Sequence, residues 1–296
     1  MTPPLDEIIR RMDALDLWDR LANCNWAVRV RGYATPFFCT VLKTPPQDPV
    51  KVRFLMLEGW QTLHDFIRAQ IDPSAGSYSS PMEIRHYELA LLRTGEGSVF
   101  RHEPCYMPRK VNERESELCA KLLWQAYGVM MRLETETQLP MKYADENAIF
   151  ARVETDPDVW EDQPLVIVQP QPYTEKVAFD KAMLAKAKDL PILTGVAYAV
   201  DFRLLVKIMT KEPRPRTVYE LTIRDEKGAI LVAERVSPVP EAGLKALWES
   251  VPPRILAKFV EFGRVPGELR MTSKRLFRFL RPLMLDLSVR LSLHDR

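Results

Sequence analysis

The sequence predicts an α+β protein of two domains, each with a small, mainly antiparallel sheet covered by helices. Three observations point there. Val196, Tyr198, Val200, Phe202, Leu204, Val206 and Ile208 alternate without a break, which a period of 3.6 could not keep on one side. A long helix opens after Asn112 and carries apolar residues on two adjacent sides. A chain of 296 residues with 46% hydrophobic content is long enough for about two cores on the usual domain size. The boundary falls near Gln138, giving an N-terminal domain of 1–138 and a C-terminal domain of 139–296.

Taken in order, Pro3 and Pro4 precede Leu5, Ile8, Ile9, Met12, Leu15 and Trp18, whose spacing predicts an amphipathic opening helix. Trp26, Val28 and Val30 alternate, Gly32 turns the chain, and Phe37 to Leu42 completes a hairpin. Val52, Phe54 and Met56 form a third strand, after which Trp60, Leu63, Ile67 and Ile71 return to helical spacing. The letters PSAGSYSS mark an exposed loop. Ile84, Tyr87 and Leu91 share a helical face, so Met82 to Leu92 reads as a helix. From Ser98 to Pro108 the chain reads as a polar, proline-bounded turn. Asn112 and Glu115 then have the spacing of a capping box, and Leu118, Leu122, Val129 and Leu133 line one face of the helix they open, with Cys119, Leu123, Ala126 and Met130 beside them. Gly128 inside that helix costs roughly 1 kcal/mol against alanine, which predicts a close helix contact or a local break.

In the second half, Ile149 to Val153 and Leu165 to Val168 read as strands with a loop containing Trp160 between them. Phe179 to Leu190 is a short helix stopped by Pro191. The long strand after Val196 pairs with Val218 to Arg224 and Ala229 to Arg235 as an antiparallel meander, whose second turn uses Gly228 for positive φ. Glu241 to Glu249 and Arg254 to Phe262 are short helices separated by Pro252 and Pro253. Glu268 to Met271 is a strand, Thr272 or Ser273 caps a last helix through Leu287, and Val289 to Leu293 ends the chain as a strand.

Composition excludes several classes. A net charge of +2, from 42 basic and 40 acidic residues, gives no bulk attraction to nucleic acid or membrane. The apolar runs are too short to span a bilayer, and Asp6, Glu7, Asp13, Asp16 and Asp19 interrupt what a signal peptide would need. A cytoplasmic location without membrane contact is expected. The four cysteines have no C-x-x-C spacing and are expected to be thiols. Neither a G-x-G-x-x-G nor a G-x-x-x-x-G-K loop occurs, and no serine sits in a G-x-S-x-G elbow, so no cofactor is expected.

The candidate binding residues are Arg101, His102, Tyr106 and Arg109, crowded before a helix N-terminus whose free N–H groups favour an anion. His102 and Cys105 supply two of the three or four ligands a metal needs, and His64, His86 and His294 have no motif tying them to it, so no metal is expected. A second candidate is basic. Residues 264–296 hold eight Arg or Lys against Glu268, Asp286 and Asp295, and Lys274, Arg278 and Arg281 share a helical face opposite the leucines. That stripe could hold phosphates, yet it has no exposed aromatics interleaved, and nucleic acid is not the favoured partner.

The run Phe100-Arg101-His102-Glu103-Pro104-Cys105-Tyr106-Met107-Pro108, with Val111, Glu113 and Glu115, resembles a motif of an uncharacterised bacterial family of domains of unknown function. The tail Gly263 to Arg270, with Ser273, Leu280 and Pro282, resembles the end of the same group. Cys105 stands where that family would have glycine. The resemblance implies no activity. The function expected from the residues is that of a non-catalytic binding or interaction module, its partner an unknown protein or a small anionic ligand. The alternatives are a small-molecule or anion-binding enzyme with a site at the domain junction, and nucleic-acid binding through the basic C-terminal helix.

Overall fold

The computed structural model describes residues 2–21, 26–71, 84–143, 145–169, 177 and 180–294. Contacts divide the chain into two compact units. The first comprises Met1–Asp65, Ile84–Glu103 and Pro108–Gln171; the second comprises Phe66–Glu83, Pro104–Met107 and Pro172–Arg296. Cys24, the PSAGSYSS loop and Phe179 lie outside the described residues.

In the first unit the order is α1 (Leu5–Leu15), α2 (Trp18–Leu21), β1 (Trp26–Arg29), β2 (Phe37–Lys43) and β3 (Val50–Glu58), followed by α3 (Trp60–Ile71), which begins in this unit. Then come β4 (His86–Leu92), β5 (Gly97–His102), β6 (Arg109–Lys110), α4 (Glu113–Thr135), α5 (Leu139–Tyr143), β7 (Ala148–Asp156) and β8 (Val159–Val166). The strands make one eight-stranded sheet in the order β6-β5-β4-β3-β2-β1-β7-β8. Each successive pair from β1 to β5 is antiparallel, including β3 and β4, which α3 separates in sequence, whereas β7 returns after α4 and lies parallel to β1. β7 and β8, which follow the boundary expected at 138, hydrogen-bond into this first sheet.

One face of the sheet is apolar because every second residue is: Val52, Phe54 and Met56 on β3, and Tyr87, Leu89 and Leu91 on β4, are buried with Ile8, Ile9 and Met12 of α1 and the apolar side of α4. Each such side chain contributes about 1.5–3 kcal/mol through burial. The capping box that starts α4 is present: the Asn112 side chain accepts from the Glu115 N–H, and the Glu115 carboxylate accepts from the Asn112 N–H. The buried set of α4 includes Leu118, Cys119, Leu122, Leu123, Ala126, Met130 and Leu133, as wide as the letters indicate. Gly128 produces neither of the expected effects: the helix is continuous through it, it is exposed, and a Cβ there would meet nothing within 4 Å.

Three expected elements change. Residues 86–92 are strand β4, not helix: Tyr87, Leu89 and Leu91 alternate with His86, Glu88 and Ala90, but Glu88 and Ala90 are buried too, which blunts the contrast that reveals a strand. Ser98 to His102 is strand β5 rather than turn, because its backbone is taken up by β4 and β6. Trp160 lies in β8, paired opposite Glu154.

The second unit contains α6 (Lys181–Lys188), β9 (Ile192–Met209), β10 (Thr217–Arg224), β11 (Ile230–Val236), α7 (Gly243–Glu249), α8 (Val251–Phe262), β12 (Val265–Met271), α9 (Lys274–Asp286) and β13 (Arg290–Leu293). The sheet order is β11-β10-β9-β12-β13. β9, β10 and β11 are the expected antiparallel meander, and Gly228 turns the second hairpin at φ 82°. β12 and β13 add in parallel, since α7 and α8, then α9, carry the chain back between them. Two small, mainly antiparallel sheets are therefore not what forms: the sheets have eight and five strands and both are mixed, because long helical returns permit parallel pairing that strand periodicity does not reveal. Among the described residues no helix is long and apolar enough to cross a membrane.

Candidate functional site

Consecutive strand residues face opposite sides of a sheet, so β5 separates the first two candidates. Arg101 turns to the apolar side, where its guanidinium lies 2.6 Å from a Glu58 carboxylate oxygen and 4.4 Å from the centre of the Tyr87 ring. Arg109 pairs with Arg101 across β5 and β6, and Glu115 holds it by two bonds of 2.6 and 2.7 Å. That pairing lowers the Glu115 carboxyl below its ordinary range and raises Arg109. Both guanidinium groups are ion-paired with carboxylates of the same unit, and Arg101 Nη1 is buried without a hydrogen bond.

Tyr106 belongs to the second unit. It bridges to Arg216, and the Arg214 guanidinium lies 3.7 Å over its ring. Cys105 beside it is buried in that unit's core at φ 74°, the left-handed backbone that explains why glycine suits this position. On α9, Lys274, Arg278 and Arg281 are exposed while Leu276, Leu280 and Leu283 are buried, as the helical spacing requires. Ser273 caps this helix by accepting from the Leu276 N–H, and Phe279 is buried under Arg275.

His102 faces the other side of the sheet, and there it meets two residues of β4. The β4–β5 hairpin closes at Leu92 to Glu96, with Gly95 at φ 85°, and its register sets His86 directly opposite His102. Glu88 follows His86 by two residues and so shares its face. The imidazoles stack, with centroids 4.2 Å apart and planes 14° from parallel. One Glu88 oxygen, Oε2, is 3.0 Å from His102 Nε2 and 3.9 Å from His86 Nε2. The other, Oε1, accepts from Arg53, which stands diagonally across β3 because Leu55 is directly opposite Glu88. One ligand atom from each of His86, Glu88 and His102 lies within 4.8 Å of the others.

Burial alone would raise the Glu88 carboxyl, but His102, His86 and Arg53 together bring it well below the usual carboxylate range. Burial dominates at His86 and lowers its proton affinity, outweighing Glu88 and the nearby Ile84 carbonyl; its Nδ1 is buried without a hydrogen bond. At neutral pH the group is thus an ionised carboxylate beside a neutral imidazole. His102 is the most open of the three, with 25% of its side chain exposed against 14% for His86 and 8% for Glu88.

No protein-family model matches this chain. No curated protein and no solved structure matches it. The remaining histidines are engaged elsewhere: His64 Nε2 is 2.7 Å from the Val168 carbonyl and its ring stacks on Trp60, while His294 Nε2 is 3.3 Å from Ser292 Oγ. His86 and Glu88 are the site residues that spacing alone does not reveal. The signal that would find them is the R-T-G-E-G turn, since His86 and His102 each stand eight residues from Thr94.

Proposed function

We propose that the chain is a non-catalytic binding module whose ligand is held at His86, Glu88 and His102. The observation that supports this reading is the ion pair between Arg53 and Glu88. An acid or base for catalysis works best with a pKa near the operating pH, and Arg53 and the histidines hold Glu88 far below it. The thiols of Cys39 and Cys119 are pushed up by burial, away from the ionised form a nucleophile needs. Ester, phosphoester and peptide substrates, offered with and without added divalent ions, are expected to turn over no faster than with the His102→Ala variant. A turnover that the wild type performs and His102→Ala loses would overturn the reading.

A second reading draws on α9, where Lys274, Arg278 and Arg281 form an exposed basic stripe. Nucleic-acid binding there predicts an affinity that falls steeply with salt and is lost in the Lys274→Glu, Arg278→Glu double variant. Equal binding by that variant removes it.

A further inference from the structure

We propose that His86, Glu88 and His102 form a binding site for a divalent transition-metal ion of the zinc class. This rests on the reading of the cluster as a ligand site and names the ligand. The argument begins with donor chemistry. Two imidazole nitrogens and one carboxylate oxygen suit zinc, cobalt, nickel or copper(II), whereas calcium and magnesium take sites built from oxygen. Ligands of a tetrahedral ion at zinc distances stand about 3.3 Å apart. The 3.0 and 3.9 Å separations of Glu88 Oε2 from the two Nε2 atoms bracket that value.

The fold supplies the arrangement without any loop. Cross-strand register puts the histidines opposite one another, and the strand's period of two puts Glu88 on their face. Arg53 occupies Oε1 and leaves Oε2 directed at the imidazoles. An outer partner of this kind fixes the orientation of a ligating carboxylate. One movement is required. In rings only 14° from parallel the lone pairs run side by side, so the imidazoles must fan apart for both to converge on one ion. The exposed edge of His102 gives it room to do so and gives the ion its way in. Three protein ligands leave a coordination position for water or a small anion.

A purely structural cluster, in which Glu88 only accepts from Arg53 and the histidines, has the same contacts and takes up no metal. The full chain, freed of metal with chelator, is titrated with zinc chloride by calorimetry. The expected result is one ion per chain with a dissociation constant below about 10 μM, undiminished by millimolar magnesium or calcium. His86→Ala, His102→Ala and Glu88→Gln should each weaken binding at least about 100-fold, the upper end for loss of an outer partner; His64→Ala and His294→Ala should not. A measurement on the wild type guards against variants that fail to fold: in nitrogen-detected NMR of the histidine rings, zinc should shift the Nε2 signals of His86 and His102 and leave His64 and His294 in place. The inference is overturned by absence of zinc binding, by equal affinity in His86→Ala and His102→Ala, by shifts confined to other rings, or by displacement of zinc by magnesium. Each of these leaves the turnover test of the binding-module reading untouched, and turnover lost in His102→Ala would overturn that reading while the metal site stood.

Discussion

Gly128 gives a prediction whose sign follows from the structure. The residue lies well inside α4, seven positions before its last residue, with helical rather than left-handed backbone, and a methyl group added to it would meet no atom within 4 Å. Gly128→Ala therefore gains helix propensity and loses no contact, for about 1 kcal/mol of stabilisation. In a unit of this size that moves the melting transition up by about 2–4 °C. The same substitution elsewhere reverses the sign. At Gly97 the new Cβ would lie 2.5 Å from Ile9 Cγ2, where β5 meets α1 in the core, and overpacking of that kind costs about 1–3 kcal/mol. At Gly267 it would meet backbone, Thr194 Cα at 2.8 Å and the Leu193 and Thr194 carbonyls at 2.9 Å, at the register shift between β12 and β9, and backbone cannot step aside. Scanning calorimetry on the three variants should give one transition raised and two lowered. A Gly128→Ala transition at or below the wild-type temperature would refute the account of α4 as a continuous helix with an unpacked exposed face at that point.

Other outcomes follow from the ion pairs, the backbone and the metal site. Arg109 depresses the Glu115 carboxyl, so its contribution is present above the unfolded carboxylate value of about 4.3 and is lost as pH falls through the lower folded value; the stability gap between wild type and Glu115→Gln, measured by urea unfolding, should shrink on acidification, and a constant gap would refute the pairing. Cys105→Ala should be less stable than Cys105→Gly, because both lose the buried sulfur but only alanine keeps the strain of φ 74°, about 1–2 kcal/mol; the reverse order in thermal melts would argue against a left-handed residue there. Zinc at 100 times its dissociation constant should stabilise the first unit by about 2.7 kcal/mol, reversibly with chelator, and a zinc-independent melting temperature would count against the site.

Much of the fold is legible in the letters because local rules agree with tertiary demand. The capping box at Asn112 and Glu115, the alternation along β9 and the leucine stripe of α9 each appear where periodicity puts them. What escapes is long-range. β7 lies beside β1 although more than a hundred residues separate them, and nothing in either strand's pattern states its neighbour. Parallel addition of β12 and β13 is equally silent, since a strand's alternation is the same whichever direction its partner runs.

The candidate site fails to appear in the sequence for a related reason. Arg101, His102, Tyr106 and Arg109 are close in number, but β5 turns Arg101 and His102 to opposite faces, Arg109 is already paired with Glu115, and Tyr106 belongs to the second unit. Proximity in a strand alternates sides, so crowded letters scatter chemistry, whereas a hairpin gathers it from symmetrical distances. Reading residues 82–92 as helix hides this, because a helix gives His86 no relation to His102. Reading residues 86–92 as a strand that turns at Gly95 makes the pairing compulsory: a one-residue slip would send His102 to the apolar face and bring Arg101 against Glu88 instead. The buried Tyr87, Leu89 and Leu91 resist such a slip, since it would carry an apolar face out of the core. The packing that holds β4 in register therefore also holds two imidazoles and a carboxylate together.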